Sequence, residues 1–170
     1  NFSALDIDSE FSGYIASSLK DIELGNCVTW VYYENTDSLF IYGKTLMKGD
    51  FYDRDKVLMS APPTASKIVI ASGVTGLYTS LAPIGASEVI IPVSVGAIER
   101  AFKNCDKLEY LNIPDSVTEI TSEAFMGCTS LKSLSIGKGV KKIPKSMADG
   151  CVNLKFLYIY GARTIGEFAF

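Results

Sequence analysis

Apolar residues recur along the second half of the chain at a fixed interval of 23 residues. Around Leu111 the apolar and polar positions alternate, as in a short strand with one buried face. A unit of this length cannot bury its apolar face alone, so successive units must stack. The pattern predicts a solenoid in which each unit adds one strand to a parallel sheet. Four positions keep this register over three units: Cys105, Cys128 and Cys151; Leu108, Leu131 and Leu154; Leu111, Leu134 and Leu157; Ile113, Ile136 and Ile159.

The repeat continues towards the amino terminus with small changes of interval. Val89, Ile91 and Val95 match the later units at a step of 22 residues, and a further step of 21 leads back to Ile68. Within a unit, residues 121–128 include Ala124 and Phe125 in a short segment that tolerates helix. We therefore expect a short helical turn on the side of each unit opposite the strand.

One complete unit carries a family resemblance. Ile113–Ile136, with the sequence IPDSVTEITSEAFMGCTSLKSLSI, resembles the consensus of the BspA-type leucine-rich repeats of bacterial surface proteins. The resemblance extends from about Ile68 to Phe170. It implies a leucine-rich repeat solenoid, an α/β-type right-handed superhelix with parallel strands on the concave face and helical turns on the convex face. It also implies a non-enzymatic, cell-surface or secreted bacterial domain that mediates adhesion.

Residues 1–62 do not follow the repeat. They contain two pairs of strand-like runs joined by turn formers, which predict β-hairpins. We expect residues 1–62 to form a β-rich cap and residues 63–170 to form the repeats, of which the last is truncated before its expected cysteine. The four runs are Val28–Tyr32 with Ser38–Tyr42, and Phe51–Tyr52 with Val57–Met59.

Composition then excludes several functional classes. The chain has no histidine and a formal charge of −3, which argues against His-based catalysis and against nucleic-acid binding. No apolar run reaches the roughly 18–20 residues that span a bilayer, so we expect no membrane insertion. No nucleophile motif, P-loop or dinucleotide fingerprint is present, so we expect no enzyme activity and no cofactor.

The cysteines and acidic clusters are weak metal candidates. Single cysteines one repeat apart lack the close pairs of zinc sites, so we interpret Cys105, Cys128 and Cys151 as buried free thiols. Cys27 lies outside this ladder and is expected to be unpaired as well. The acidic clusters at 6–10 and 50–55 lack the glycine and distal glutamate of a calcium loop, and solvated turns explain them better.

The candidate binding surface comes from the repeat itself. If Leu111 and Ile113 point inward, the residues between them point outward, and so do their equivalents in later units. Aromatic side chains with polar tips are enriched at binding hot spots. The alternative is that these aromatics pack against further repeats, a partner chain or one another. The predicted binding residues are Tyr110, Asn112, Phe156, Tyr158 and Tyr160.

Three functions remain open. The first is binding of a host or bacterial surface protein, a matrix protein among the candidates, through the concave sheet. The second is a structural spacer that self-associates through the unfinished last repeat, and the third is glycan binding by the aromatic residues. Separately, a basic run of five lysines could meet an anionic polymer or a phospholipid surface, although the net charge favours a solvated loop face. The run comprises Lys132, Lys138, Lys141, Lys142 and Lys145.

Overall fold

The structure is a computed structural model that describes residues 29–42, 65–78, 80–82 and 85–170. Its described part contains twelve strands and almost no helix. The strands are β1 Thr29–Tyr33, β2 Ser38–Tyr42, β3 Lys67–Ile70, β4 Gly76–Leu77, β5 Glu88–Ile90, β6 Ala97–Ile98, β7 Tyr110–Ile113, β8 Glu119–Ile120, β9 Ser133–Ile136, β10 Lys142–Ile143, β11 Phe156–Ile159 and β12 Thr164–Ile165.

Seven strands form one large sheet in the order β1-β2-β3-β5-β7-β9-β11. All neighbours from β2 to β11 are parallel, and each unit of the repeat contributes one strand. The register aligns the inward leucines of successive units, with Leu111 opposite Leu134 and Leu134 opposite Leu157. The predicted solenoid of stacked parallel strands is therefore confirmed.

The first predicted hairpin is present at the start of this sheet. Strands β1 and β2 are antiparallel, with Thr29 opposite Tyr42 and Tyr33 opposite Ser38, so the first strand begins one residue later than expected. β2 also pairs in parallel with β3, and its Leu39 and Ile41 are fully buried in the same core as the repeats. The division at residue 62 stays a prediction. The second hairpin, Cys27 and both acidic clusters lie outside the described residues.

The prediction of helical turns opposite the large sheet is wrong. Residues 121–128 form turns, and short parallel strands on that side make two small sheets, β4-β6-β8 and β10-β12. Glu123 and Gly127 have positive φ angles of 63° and 76°, which interrupt a right-handed helix. The amides of Phe125 and Gly127 donate to carbonyls of the next unit, each at 2.8 Å, instead of to residues one helical turn back.

The core runs through the stack as one continuous cluster. Phe102 and Phe125 are fully buried in neighbouring units, with ring centroids 5.6 Å apart. In the following unit Met147 and Ala148 take the places of an Ala-Phe pair, and both are buried. The large side chain moves by one position while the filled volume is roughly kept, as a close-packed interior requires.

Burial falls off sharply in the last unit. β11 is exposed or partly exposed along its whole length, and both residues of β12 are exposed. Leu134 is fully buried, whereas its stacked equivalent Leu157 is 37% exposed. The difference arises because each unit is covered by the unit that follows it, and no described residue follows this one.

Candidate functional site

The outer face of the large sheet, opposite the core, carries the predicted binding residues. On β7, Leu111 and Ile113 are buried, whereas Tyr110 and Asn112 are exposed. This alternation follows from the period of two along a strand. The predicted orientation of the five residues is therefore observed, whereas their binding role stays a prediction.

The parallel register turns these side chains into a trough. Tyr110 on β7 is aligned with Ser133 on β9 and then with Phe156 on β11. Asn112, Ser135 and Tyr158 form a second row in the same way. Because neighbouring strands lie about 4.8 Å apart, the side chains of β7 and β11 flank a serine floor about 10 Å wide. The trough is open to solvent along β9.

The aromatic wall of the trough is exposed to an unusual degree for such large side chains. Phe156 is 56% exposed, Tyr158 is 48% exposed and Tyr160, directly after β11, is 61% exposed. β11 is also the last strand of the sheet. The wall can therefore be approached from the outer face and from the sheet edge.

A charged group lies on the opposite wall. Lys132 Nζ is 2.7 Å from Glu109 Oε2 and 5.8 Å from the centre of the Tyr110 ring. The hydrogen bond to Glu109 raises the pKa of Lys132, so the ammonium stays charged throughout the physiological range. Sequence periodicity identified Tyr110 but not this cation above its ring, because Glu109 and Lys132 are 23 residues apart and meet only through stacking.

The other end of the outer face is closed. Phe40 and Val69 occupy outward positions on β2 and β3, yet they are only 4% and 5% exposed. They are also separate from the central core cluster. The sequence analysis missed this apolar pair. Its signal is that β2 and β3 are apolar at consecutive positions, as in strands buried on both faces.

The cysteine ladder lies inside the stack, away from the outer face. Cys105 and Cys128 are buried and Cys151 is half-buried, and all three are free thiols, as predicted. The Cys128 thiol donates to the Phe102 carbonyl at 3.0 Å, and the Cys151 thiol donates to the Phe125 carbonyl at 3.2 Å. Each thiol thus satisfies a carbonyl of the preceding unit. Within the described residues, no three metal-binding side chains cluster.

We expect Cys151 to react with iodoacetamide well before Cys105 in the folded protein. Burial, together with nearby Asp106, raises the pKa of Cys105 to about 12. A Cys128 thiol placed to donate a hydrogen bond lowers the pKa of Cys151, and Cys151 is the more exposed. Because the thiolate is the reactive form, alkylation at pH 8 followed by peptide mass mapping should find Cys151 modified first. Equal rates at the two positions would contradict this assignment.

Comparison with known proteins extends these observations. The sequence model described as BspA type leucine rich repeat region matches residues 83–170 in six copies. No curated protein sequence matches the chain. Among the described residues, no helix is long and apolar enough to cross a bilayer.

Solved structures share the fold at low sequence identity. A leucine-rich cell surface protein of Faecalibacterium prausnitzii is 18% identical with a TM-score of 0.57, and the match covers 80% of this chain and 38% of that protein. The T. pallidum leucine-rich repeat protein is 16% identical with a TM-score of 0.51, covering 81% and 82% respectively. The pneumococcal vaccine antigen PcpA is 22% identical with a TM-score of 0.51, covering 82% and 30%.

These likenesses agree with the stacked parallel strands and the free-thiol ladder described above. This chain spans less than half the length of the F. prausnitzii and pneumococcal proteins. Because the repeat model covers more than half of its 170 residues, the chain belongs to the BspA-type leucine-rich repeat family.

Proposed function

We propose that this chain is a non-enzymatic repeat domain, secreted or displayed at a cell surface, that binds another protein through the outer face of its large sheet. One observation carries the proposal. Phe156, Tyr158 and Tyr160 are held in fixed positions on a rigid sheet with about half of each side chain exposed to water.

Energetic considerations support a partner at this face. Leaving large aromatic surfaces in water is unfavourable by roughly 25 cal/mol per Å², so a partner that covers them gains that free energy. The strand also fixes the aromatic backbone positions in advance, which lowers the entropy lost on binding. Tyr and Phe dominate the cores of protein interfaces for these reasons.

The shape of the trough indicates how a partner would fit. A floor of Ser133 and Ser135 offers hydroxyl groups and little steric bulk between two higher walls. A width of about 10 Å accommodates one extended segment or one loop of a partner protein. The Lys132 ammonium above Tyr110 adds a positive charge to one wall.

Similar proteins support the proposed location. The F. prausnitzii structure is described as a leucine rich cell surface protein, and the pneumococcal protein as a vaccine antigen. We extend this location and a role in adhesion to the present chain as part of the proposal. The bacterial origin of the chain is inferred from the same comparison.

Replacing both Tyr158 and Tyr160 with serine should weaken partner binding at least tenfold, because each tyrosine would contribute on the order of 1–2 kcal/mol at a hot spot. Surface plasmon resonance against a panel of purified extracellular matrix proteins measures this change. A matched control replaces Val93 and Val152, which are 71% and 78% exposed and lie off the outer face, and this variant should bind like wild type. A partner that binds both variants with wild-type affinity would remove the aromatic wall from the binding site.

A structural spacer that self-associates is the second candidate. It is favoured by the exposed apolar side chains of the last unit, among them Ile165 at 62% and Phe168 at 76%. Light scattering over a concentration range separates the two candidates. A mass that rises with concentration and falls again in an Ile165→Ser variant would favour assembly. Glycan binding at the same aromatic wall, the third candidate, would appear as binding to a glycan panel that the Tyr158 and Tyr160 substitutions abolish.

A further inference from the structure

Stacking gathers five cationic side chains on a surface separate from the trough. Lys142 lies on β10 opposite Thr164 of β12, and the Arg163 amide donates to the Lys141 carbonyl at 2.8 Å. The sequence run alone contains four of these cations, and the step of 22 residues adds Arg163 to them. We name this surface the basic edge; it comprises Lys138, Lys141, Lys142, Lys145 and Arg163, all of them exposed.

The basic edge departs from the charge pairing seen elsewhere on the stack. Lysines of other units pair with a carboxylate about one repeat away: Lys67 with Glu88 at 3.4 Å, Lys103 with Glu123 at 2.7 Å and Lys132 with Glu109 at 2.7 Å. No side chain of the basic edge forms an ion pair with any described residue. Lys141 Nζ instead donates to the Lys138 carbonyl, which retains its full positive charge at the surface.

Nearby acidic groups do not cancel this charge. Asp115 accepts a hydrogen bond from the Lys138 amide at 2.7 Å, and neither Glu119 nor Glu167 lies within 4.0 Å of a basic-edge cation. Lys141 and Arg163 occupy equivalent positions on neighbouring units, about 4.8 Å apart at the backbone. Like charges stacked in this way destabilise a sheet, so their presence needs a reason outside folding.

The charge distribution along the chain is correspondingly asymmetric. Residues 129–170 contain seven Lys and Arg against two Asp and Glu, whereas residues 1–128 contain nine against seventeen. A net charge of −3 conceals this division. A local positive field on an otherwise acidic protein steers an anionic partner to one end of the stack.

We propose that the basic edge binds a linear polysaccharide that carries sulfate or carboxylate groups. The cations recur from unit to unit and form an open surface, which suits a chain of regularly spaced anions. β10 presents Lys142 beside a fully buried Ile143, so this strand lacks the exposed apolar residues by which interfacial segments enter a membrane. No aromatic residue belongs to the basic edge, and stacking on aromatics is the usual means of holding unpaired bases.

Affinity for heparin, as a sulfated probe, and for alginate, as a carboxylated probe, tests the proposal by biolayer interferometry over a series of salt concentrations. The wild-type chain should bind at least one of them at 0.15 M salt, with affinity falling as salt rises. A K141Q/R163Q variant removes the stacked pair of cations and should bind at least tenfold more weakly, with a shallower salt dependence. A K141R variant keeps the charge and should bind like wild type.

The matched control is K107Q/K155Q, which removes the same number of charges at exposed positions away from β10 and β12. It should bind within about twofold of wild type, since its substitutions leave the basic edge intact. An equal loss in both double variants would overturn the proposal, because binding would then follow net charge alone. Failure of the wild-type chain to bind either polysaccharide would also overturn it, as would stronger binding to phosphatidylserine vesicles or to DNA. None of these results bears on the aromatic wall, which is tested with different variants.

Discussion

Replacing Phe125 with alanine should lower the free energy of unfolding by about 3–5 kcal/mol. Phe125 is fully buried in the middle of the stack, and its ring lies 5.6 Å from that of Phe102 in the preceding unit. The substitution removes a large apolar group and leaves a cavity between two units that cannot collapse freely, because backbone hydrogen bonds hold the units together. The loss therefore includes both the transfer free energy and a cavity contribution.

Urea denaturation followed by circular dichroism measures this change. Phe156→Ala is the matched control, since it makes the same substitution at a side chain that is 56% exposed. It should change the free energy of unfolding by less than about 1 kcal/mol, the range of strand preferences at exposed positions. Equal destabilisation by the two substitutions would contradict the assignment of Phe125 to the core of the stack.

Replacing Gly139 with alanine should destabilise the protein by about 2–3 kcal/mol although it adds only a methyl group. A Cβ atom at this position would overlap the carbonyl oxygens of Asp115 and Val117, which belong to the preceding unit. Backbone atoms cannot move aside as a flexible side chain can. The overlap would therefore force the two units apart and weaken several hydrogen bonds at once.

Gly96→Ala provides the control for the Gly139 substitution. A Cβ atom on Gly96 would lie 3.8 Å from the Thr75 carbonyl oxygen, an ordinary contact. We expect a change within about 0.5 kcal/mol. Thermal denaturation of both variants separates the steric effect from the general cost of removing a glycine, and similar melting temperatures would contradict the close approach at Gly139.

Sequence periodicity predicted the strands well because their positions follow directly from burial. Leu111 and Ile113 must face the core in every unit, so the interval of 23 residues defines both the strands and their register. The hydroxyl of Ser116, which donates to the Val95 carbonyl at 2.8 Å, explains a second regular position in the repeat. Its equivalent Ser94 donates to the Val74 carbonyl at 2.7 Å.

The turns were predicted less well because their backbone is determined by contacts between units. Asn104, Gly127 and Gly150 share a positive φ, and Asn and Gly are residue types that favour it. Arg100, Glu123 and Ser146 also share a positive φ at an equivalent position, yet their residue types give no such signal. Propensity therefore favoured helix in segments where amide donors bond to the neighbouring unit.

The candidate site was only partly predictable for the same reason. Alternation along β7 and β11 identifies Tyr110 and Phe156 as outward residues. The trough between them depends on Ser133 being aligned with both, which the repeat interval implies. The Lys132–Glu109 pair and the addition of Arg163 to the basic edge depend on side-chain positions in neighbouring units, and no local pattern contains that information.

Hydroxyl-radical footprinting of the chain with and without a bound matrix protein tests the central claim most directly, because it measures the solvent exposure of individual side chains. The account predicts that oxidation of Tyr110, Phe156, Tyr158 and Tyr160 falls when the partner binds. Oxidation of Val93, which is exposed away from the outer face, should be unchanged. Protection of Val93 together with undiminished oxidation of the four aromatic residues would contradict the claim and place the binding surface elsewhere on the stack.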